Sequence, residues 1–190
     1  MIQTGSKQLM NFMCSLLLLF SAAYPNQNAT AQSNTDQTAF RQRMKDLQSA
    51  IRAKNFVKAG TYLRYPFFTA KEDLGNGKEL PVDAIDKKEF NVYKNDIFHK
   101  DVCRILPKLG MEAVSEVTDL KDSYYVALRK QTDPNTRLYE LYAQYAGETG
   151  ASESYFGFVF GKIKGRYKIL AYYGKWPLLT QAIYDIINNP

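Results

Sequence analysis

Cysteine, histidine and tryptophan are nearly missing from this chain, at two, one and one among 190 residues. Cys14 and Cys103 have no paired spacing, so neither a disulfide framework nor a thiolate zinc site is expected. The lone His99 stands among scattered carboxylates without the spacing of a metal-ligand set, and no metal or other cofactor is expected. Glycine-rich phosphate loops and the nucleophile-elbow pattern are lacking too, which removes several large enzyme classes. Runs of like charge are short and the two signs are interspersed, which argues against a nucleic-acid partner despite 25 basic and 19 acidic residues. No apolar run approaches the roughly 20 residues a membrane-spanning helix needs, so no stable membrane anchor is expected.

The longest apolar run, SLLLLFSAA over 15–23, is short and lies behind a segment whose only charge is Lys7. A polar stretch then leads to Ala29, Thr30 and Ala31, the small-x-small pattern of a signal-peptidase site. Residues 1–31 therefore read as a signal peptide cut between Ala31 and Gln32, and the protein is expected to be exported to the periplasm or the medium. Cys14 precedes the apolar run, the wrong place for lipidation. Cleavage would leave 159 of the 190 residues and, with Lys7 gone, 24 basic against 19 acidic side chains, a net charge of +5. That length suits one domain, 39–190, behind a flexible leader at 32–38.

Helical periodicity starts with Phe40, Met44, Leu47 and Ile51, spaced four, three and four residues apart. Asn55 is placed to cap a second helix carrying Phe56, Ala59 and Leu63, stopped by Pro66. Residues 66–70 and 79–82 flank Gly75, Asn76 and Gly77 and predict a hairpin. Asp86 and Glu89 have capping-box spacing ahead of a long helix with Phe90, Tyr93, Ile97, Val102, Ile105, Leu106 and Leu109 on its buried faces, broken near His99. From Met111 the period shifts towards two and predicts strands at 112–118, 123–131, 136–146, 154–163 and 166–173. A turn at Lys164 and Gly165 sets Phe160 opposite Ile169, Phe158 opposite Ala171 and Phe156 opposite Tyr173, all on one buried face. The other face, with Gly157, Gly161, Arg166 and Lys168, is expected to meet solvent. Pro177 opens a short terminal helix with Leu179, Ile183 and Ile186 on one side.

This element order, with the segments Phe56-Val57-Lys58-Ala59, Tyr65-Pro66-Phe67-Phe68, Lys88-Glu89-Phe90-Asn91-Val92-Tyr93 and Ile97-Phe98, resembles exported bacterial members of the nuclear transport factor 2-like superfamily. The resemblance implies an α+β fold: a cone-shaped roll whose curved antiparallel sheet wraps around a long helix, with two N-terminal helices and here an extra short C-terminal helix. It implies no particular activity, because the superfamily holds isomerases, dehydratases, transport factors and binding modules. It does imply a pocket between the concave sheet and the helices, and sheet faces that often pair in homodimers.

Tyr125, Tyr139, Tyr145, Phe156, Phe158 and Tyr173 are the candidates to line such a pocket, where aromatic rings suit a sugar or another flat small molecule and phenols add hydrogen bonds. For catalysis, His99 is the only imidazole; Asp96 precedes it by three residues and Cys103 follows by four, spacings that bring either beside it on a continuous helix. No orienting third group or oxyanion donor accompanies them. Glu72, Asp73, Asp83 and Asp86 at the hairpin suit a general base at the mouth of the cone and ordinary loop solvation equally well. Lys162, Lys164, Arg166 and Lys168 at the last turn could attract an anionic polymer or lipid headgroup, and more simply blunt an exposed edge against aggregation. The balance favours a binding or accessory module that works without catalysis, with a small proton-transfer enzyme (isomerase, dehydratase or hydrolase) as the alternative.

Overall fold

The computed structural model describes residues 27–69, 84–118, 121–147, 153–175 and 178. The chain divides into two units, Met1–Asp36 and Gln37–Pro190. The signal-peptide run, the hairpin segment 79–82 with Glu72, Asp73 and Asp83, and the terminal stretch with Leu179, Ile183 and Ile186 lie outside the described residues.

Helix α1 spans Gln27–Arg52. Residues 32–38, expected as a flexible leader, are helical instead: no glycine or proline interrupts the sequence from Gln27 to Arg52, so nothing local stops the helix. Its stripe Phe40, Met44, Leu47 and Ile51 is buried as the spacing requires. Asn55 caps α2, Phe56–Gly60, its side chain accepting from the Lys58 N–H at 3.0 Å. This helix is shorter than expected, and Leu63 opens strand β1, Leu63–Thr69, instead of closing a helix. Pro66 is accommodated there because the pairing of β1 with its neighbour is irregular between Leu63 and Phe68. Strand β2, Ala84–Ile85, pairs antiparallel with Phe67 and Phe68, beyond the arm 79–82 expected for the hairpin.

The carboxylate of Glu89 accepts from the Asp86 N–H at 2.8 Å, the return half of a capping box. The expected long helix is then two: α3, Phe90–Ile97, and α4, Lys100–Ile105, separated at Phe98 and His99. Strand β3, Val114–Glu116, is followed by α5, Ser123–Arg129, where a strand was expected. Aromatic and β-branched residues gave that segment its strand character, but the Asp122 carboxylate accepts from the Tyr124 N–H at 2.7 Å and starts a helix. Strands β4, Tyr139–Ala146, β5, Glu153–Ile163, and β6, Arg166–Gly174, complete a curved six-stranded sheet of order β2-β1-β6-β5-β4-β3 that does not close on itself.

The inner sheet face packs on α1, α3 and α4. Phe156, Phe158 and Phe160 of β5 are completely buried there with Phe40, Phe98 and Ile169. Phe160 pairs with Ile169 as expected, but beyond it Val159 pairs with Ala171, Phe158 with Tyr172 and Phe156 with Gly174. Leu170 is the extra residue of a β-bulge, and every later residue of β6 changes side. Leu170 and Ala171 both join Leu128, Leu138 and Val159 in a second core on the outer face, which α5 covers, so that face is not simply solvated as expected. The glycines of β5 make room for this cover: a Cβ on Gly157 would stand 2.1 Å from the Tyr173 ring, and one on Gly161 would stand 2.5 Å from Thr132. The β5–β6 turn is tight, with Lys164 and Gly165 both at positive φ (50° and 73°). Asp133 clamps it by accepting from the N–H groups of Lys164 and Gly165 at 2.8 and 2.7 Å.

Two outcomes follow. Gly157→Ala should destabilise the chain by about 1–3 kcal/mol in chemical denaturation, because Tyr173 must move to admit the methyl group. The two backbone donors hold the Asp133 carboxyl below its ordinary pKa. Its stabilising contribution is therefore complete above the unfolded-state value near 3.9 and is lost as pH falls through the lower folded value. Asp133→Asn should flatten the acid limb of stability measured by urea titration across that range.

Candidate functional site

Six aromatic side chains were expected to line one pocket, and the structure separates them. Tyr139, Phe156 and Phe158 belong to the inner core: Tyr139 stacks on Phe40 at 4.5 Å between ring centres, and Phe158 lies 6.4 Å from Phe98 and 5.3 Å from Tyr172. These rings fill the interior with one another instead of lining an open space. Tyr125 belongs to helix α5 and Tyr173, beyond the bulge, points to the outer face; neither meets the inner group. Tyr145, half-buried near the end of β4, is the member of the set that stays accessible beside the inner face, its ring 5.9 Å from Phe156.

The inner face carries its polar groups where β4 and β6 end and β5 begins. His99, at the break between α3 and α4, sets its imidazole edge-on to Phe156 at 6.2 Å and to Tyr172 at 6.4 Å. Burial against these rings lowers the imidazole pKa from its ordinary 6.5, and the charges of Asp101 and Asp96 only partly oppose it. Burial likewise pushes the Tyr172 phenol well above its usual range, with Tyr145 and Asp96 adding to the effect. The Arg104 guanidinium stands 5.9 Å over the Tyr145 ring and is held by Asp101 at 2.9 Å.

The thiol of Cys103 does not pair with the imidazole. Its Sγ donates to the Phe98 carbonyl at 3.1 Å, and burial raises its pKa, with Lys54 acting the other way. A neutral imidazole, a protonated phenol and a protonated thiol make a group that donates and accepts hydrogen bonds, without a prepared nucleophile. Among the described residues no group of three or more His, Cys, Asp and Glu comes together as a metal site, and no helix is long and apolar enough to cross a membrane. Tyr172 and Arg104 were missed as site residues in the sequence. Arg104 could have been found, five residues after His99 on a short helix, whereas Tyr172 depends on the bulge at Leu170.

A second polar group occupies the outer face beside α5. Tyr125 donates to the Glu140 carboxylate at 2.5 Å, and burial first, then that same carboxylate, pushes the Tyr173 phenol far above its usual range. The Tyr124 hydroxyl is sealed from solvent and has no hydrogen-bond partner.

The His99 imidazole should titrate below 6.5 when followed by proton NMR. Because the folded value is depressed, the unfolded chain binds more protons below 6.5, so stability is complete above that pH and falls as pH drops through the folded value. His99→Gln should remove this loss.

No protein-family model matches the chain, and no curated protein matches it. Solved structures similar to it include a provisionally assigned ketosteroid isomerase from Shewanella frigidimarina, 17% identical over 72% of this chain and 94% of that one, with a TM-score of 0.38. A protein of unknown function like nuclear transport factor 2, from Shewanella oneidensis, is 11% identical over 73% of this chain and 97% of its own, with a TM-score of 0.38. The CaMKII hub homology domain of Chlamydomonas reinhardtii is 14% identical over 75% and 96%, with a TM-score of 0.33. By its own element order and its strand order β2-β1-β6-β5-β4-β3, the chain has an α+β fold with a curved six-stranded sheet.

Proposed function

We propose that this protein is an exported binding or accessory module without catalytic activity, which takes a small molecule or glycan at the His99 end of the inner sheet face. One observation carries the reading. Phe156, Phe158 and Phe160 are completely buried among the protein's own rings, so ligand contact is confined to the rim formed by His99, Tyr145 and Arg104, with the buried Tyr172 against His99. That rim offers an aromatic face, a cation and neutral hydrogen-bonding groups, a set suited to holding a flat or ring-shaped ligand in place. The alternative, a small proton-transfer enzyme, draws on Asp96, whose charge reaches both His99 and Tyr172. It lacks a hydrogen-bonded carboxylate to orient the imidazole. The apolar run at 15–23 and the Ala29-Thr30-Ala31 pattern support export.

The test is a thermal-shift screen of aromatic compounds, lactones and oligosaccharides on the chain beginning at Gln32. A ligand at about 100 times its Kd adds about 2.7 kcal/mol of stability, which for a chain of this size is roughly 5–10 °C in Tm. The shift should vanish in Tyr145→Ala, and the bound compound should be recovered unchanged. Turnover of the compound, abolished by His99→Gln, would establish the enzyme instead. Residues 1–31 fused to a reporter that works only outside the cytoplasm should carry it there with cleavage after Ala31; retention of an uncleaved fusion would remove export from the proposal.

A further inference from the structure

The outer sheet face holds a group of tyrosines beside its second core, away from the His99 rim. Tyr142, Gly157 and Tyr173 lie directly opposite one another across β4, β5 and β6. With glycine in the middle, Tyr173 lies across β5, and Tyr155 bridges the row, 6.0 Å from Tyr142 and 6.5 Å from Tyr173 between ring centres. Tyr124 and Tyr125 of α5 form an adjoining wall, their rings 5.3 Å apart and inclined at 64°. Glu140 stands between wall and row, accepting from Tyr125 and facing the Tyr173 hydroxyl. Among the described residues no lysine, arginine or histidine pairs with Glu140.

A half-buried carboxylate that has phenol donors but, among the described residues, no cationic partner is a place where a cation can add its charge. Ring faces carry negative charge density and edges positive, so the surrounding ring faces attract a cation, while the Tyr125 hydroxyl already donates to Glu140. The raised pKa values of Tyr124 and Tyr173 have the same cause: after burial, every charge acting on them is negative. The Tyr124 hydroxyl adds an independent sign of a missing partner, a polar group sealed within the cluster with nothing to bond. A metal ion would need more oxygen ligands than one carboxylate.

We propose that this cluster binds an organic ammonium cation, with the charged head against Tyr173, Tyr155 and Tyr125, Glu140 as its counter-charge, and Tyr124 donating to an oxygen carried beside the nitrogen. Choline, tetramethylammonium and the uncharged choline isostere 3,3-dimethylbutan-1-ol separate the elements of this recognition. Titrated into the chain beginning at Gln32 and followed by NMR of the tyrosine rings, choline should bind tightest. Tetramethylammonium, lacking the oxygen, should bind more weakly, and the isostere at least about tenfold more weakly than choline. Glu140→Gln should weaken choline by about tenfold or more, while Tyr173→Phe, which keeps the ring, should change it less than Tyr173→Leu. Circular dichroism establishes that each variant is folded; if Glu140→Gln is not, Tyr155→Leu serves in its place, with the same loss expected. Tyr145→Ala, at the inner rim, should leave choline binding unchanged, so this site stands or falls separately from the one at His99. Equal binding of choline and its isostere, or no ring shifts from choline at millimolar concentrations, would overturn the proposal.

Discussion

The contact of Phe158 with Phe98 and Tyr172 ties together the parts on which the fold depends. Phe158 sits mid-way along the central strand β5, Phe98 at the break between α3 and α4, and Tyr172 just past the bulge of β6. With Phe156 and Phe160 it fills the space that the curved sheet encloses, and burial of such large rings is the main favourable term available to the chain. The same contact positions the polar groups. His99 follows Phe98 directly, so seating the phenyl ring fixes the imidazole against Phe156 and Tyr172. Its lowered pKa is thus a consequence of how the core is filled.

The bulge at Leu170 separates the two polar regions. A regular pairing would turn Tyr173 inward with Phe156 and place all the candidate β-sheet aromatics on one face. One extra residue turns Tyr172 inward and Tyr173 outward, where Gly157 leaves room for its ring and Glu140 for its hydroxyl. The inner rim then consists of neutral donors and acceptors with one arginine, and the outer cluster of phenols around the Glu140 carboxylate, which accepts from Tyr125.

Much of this was legible in the sequence wherever a local rule sufficed. The α1 stripe, the Asn55 cap, the break at His99 and the turn at Lys164 and Gly165 each rest on spacing or on backbone freedom within a few residues. The pairing of Phe160 with Ile169 followed from that turn. Local rules failed where tertiary contact decides. Residues 123–129 have strand-like composition, yet Asp122 caps them into a helix because the outer sheet face needs a cover. The bulge leaves no mark in the alternation of an apolar strand buried on both faces. Of the residues in the two proposed sites, His99 and Tyr145 could be singled out from the sequence by their chemistry, while Tyr172, Glu140 and Tyr124 take their surroundings from that bulge and that helix.

The central claim, that the inner face is filled by its own rings and ligand contact is confined to the rim, is tested most directly by xenon titration followed by aromatic and methyl NMR. Xenon enters dry apolar cavities regardless of chemistry. The account predicts no saturable shifts at Phe156, Phe158 or Phe160, and their appearance in Phe158→Ala, where the ring has been removed. Saturable shifts at those phenylalanines in the unmodified protein would contradict it, because they would show an open cavity where the structure places a packed core.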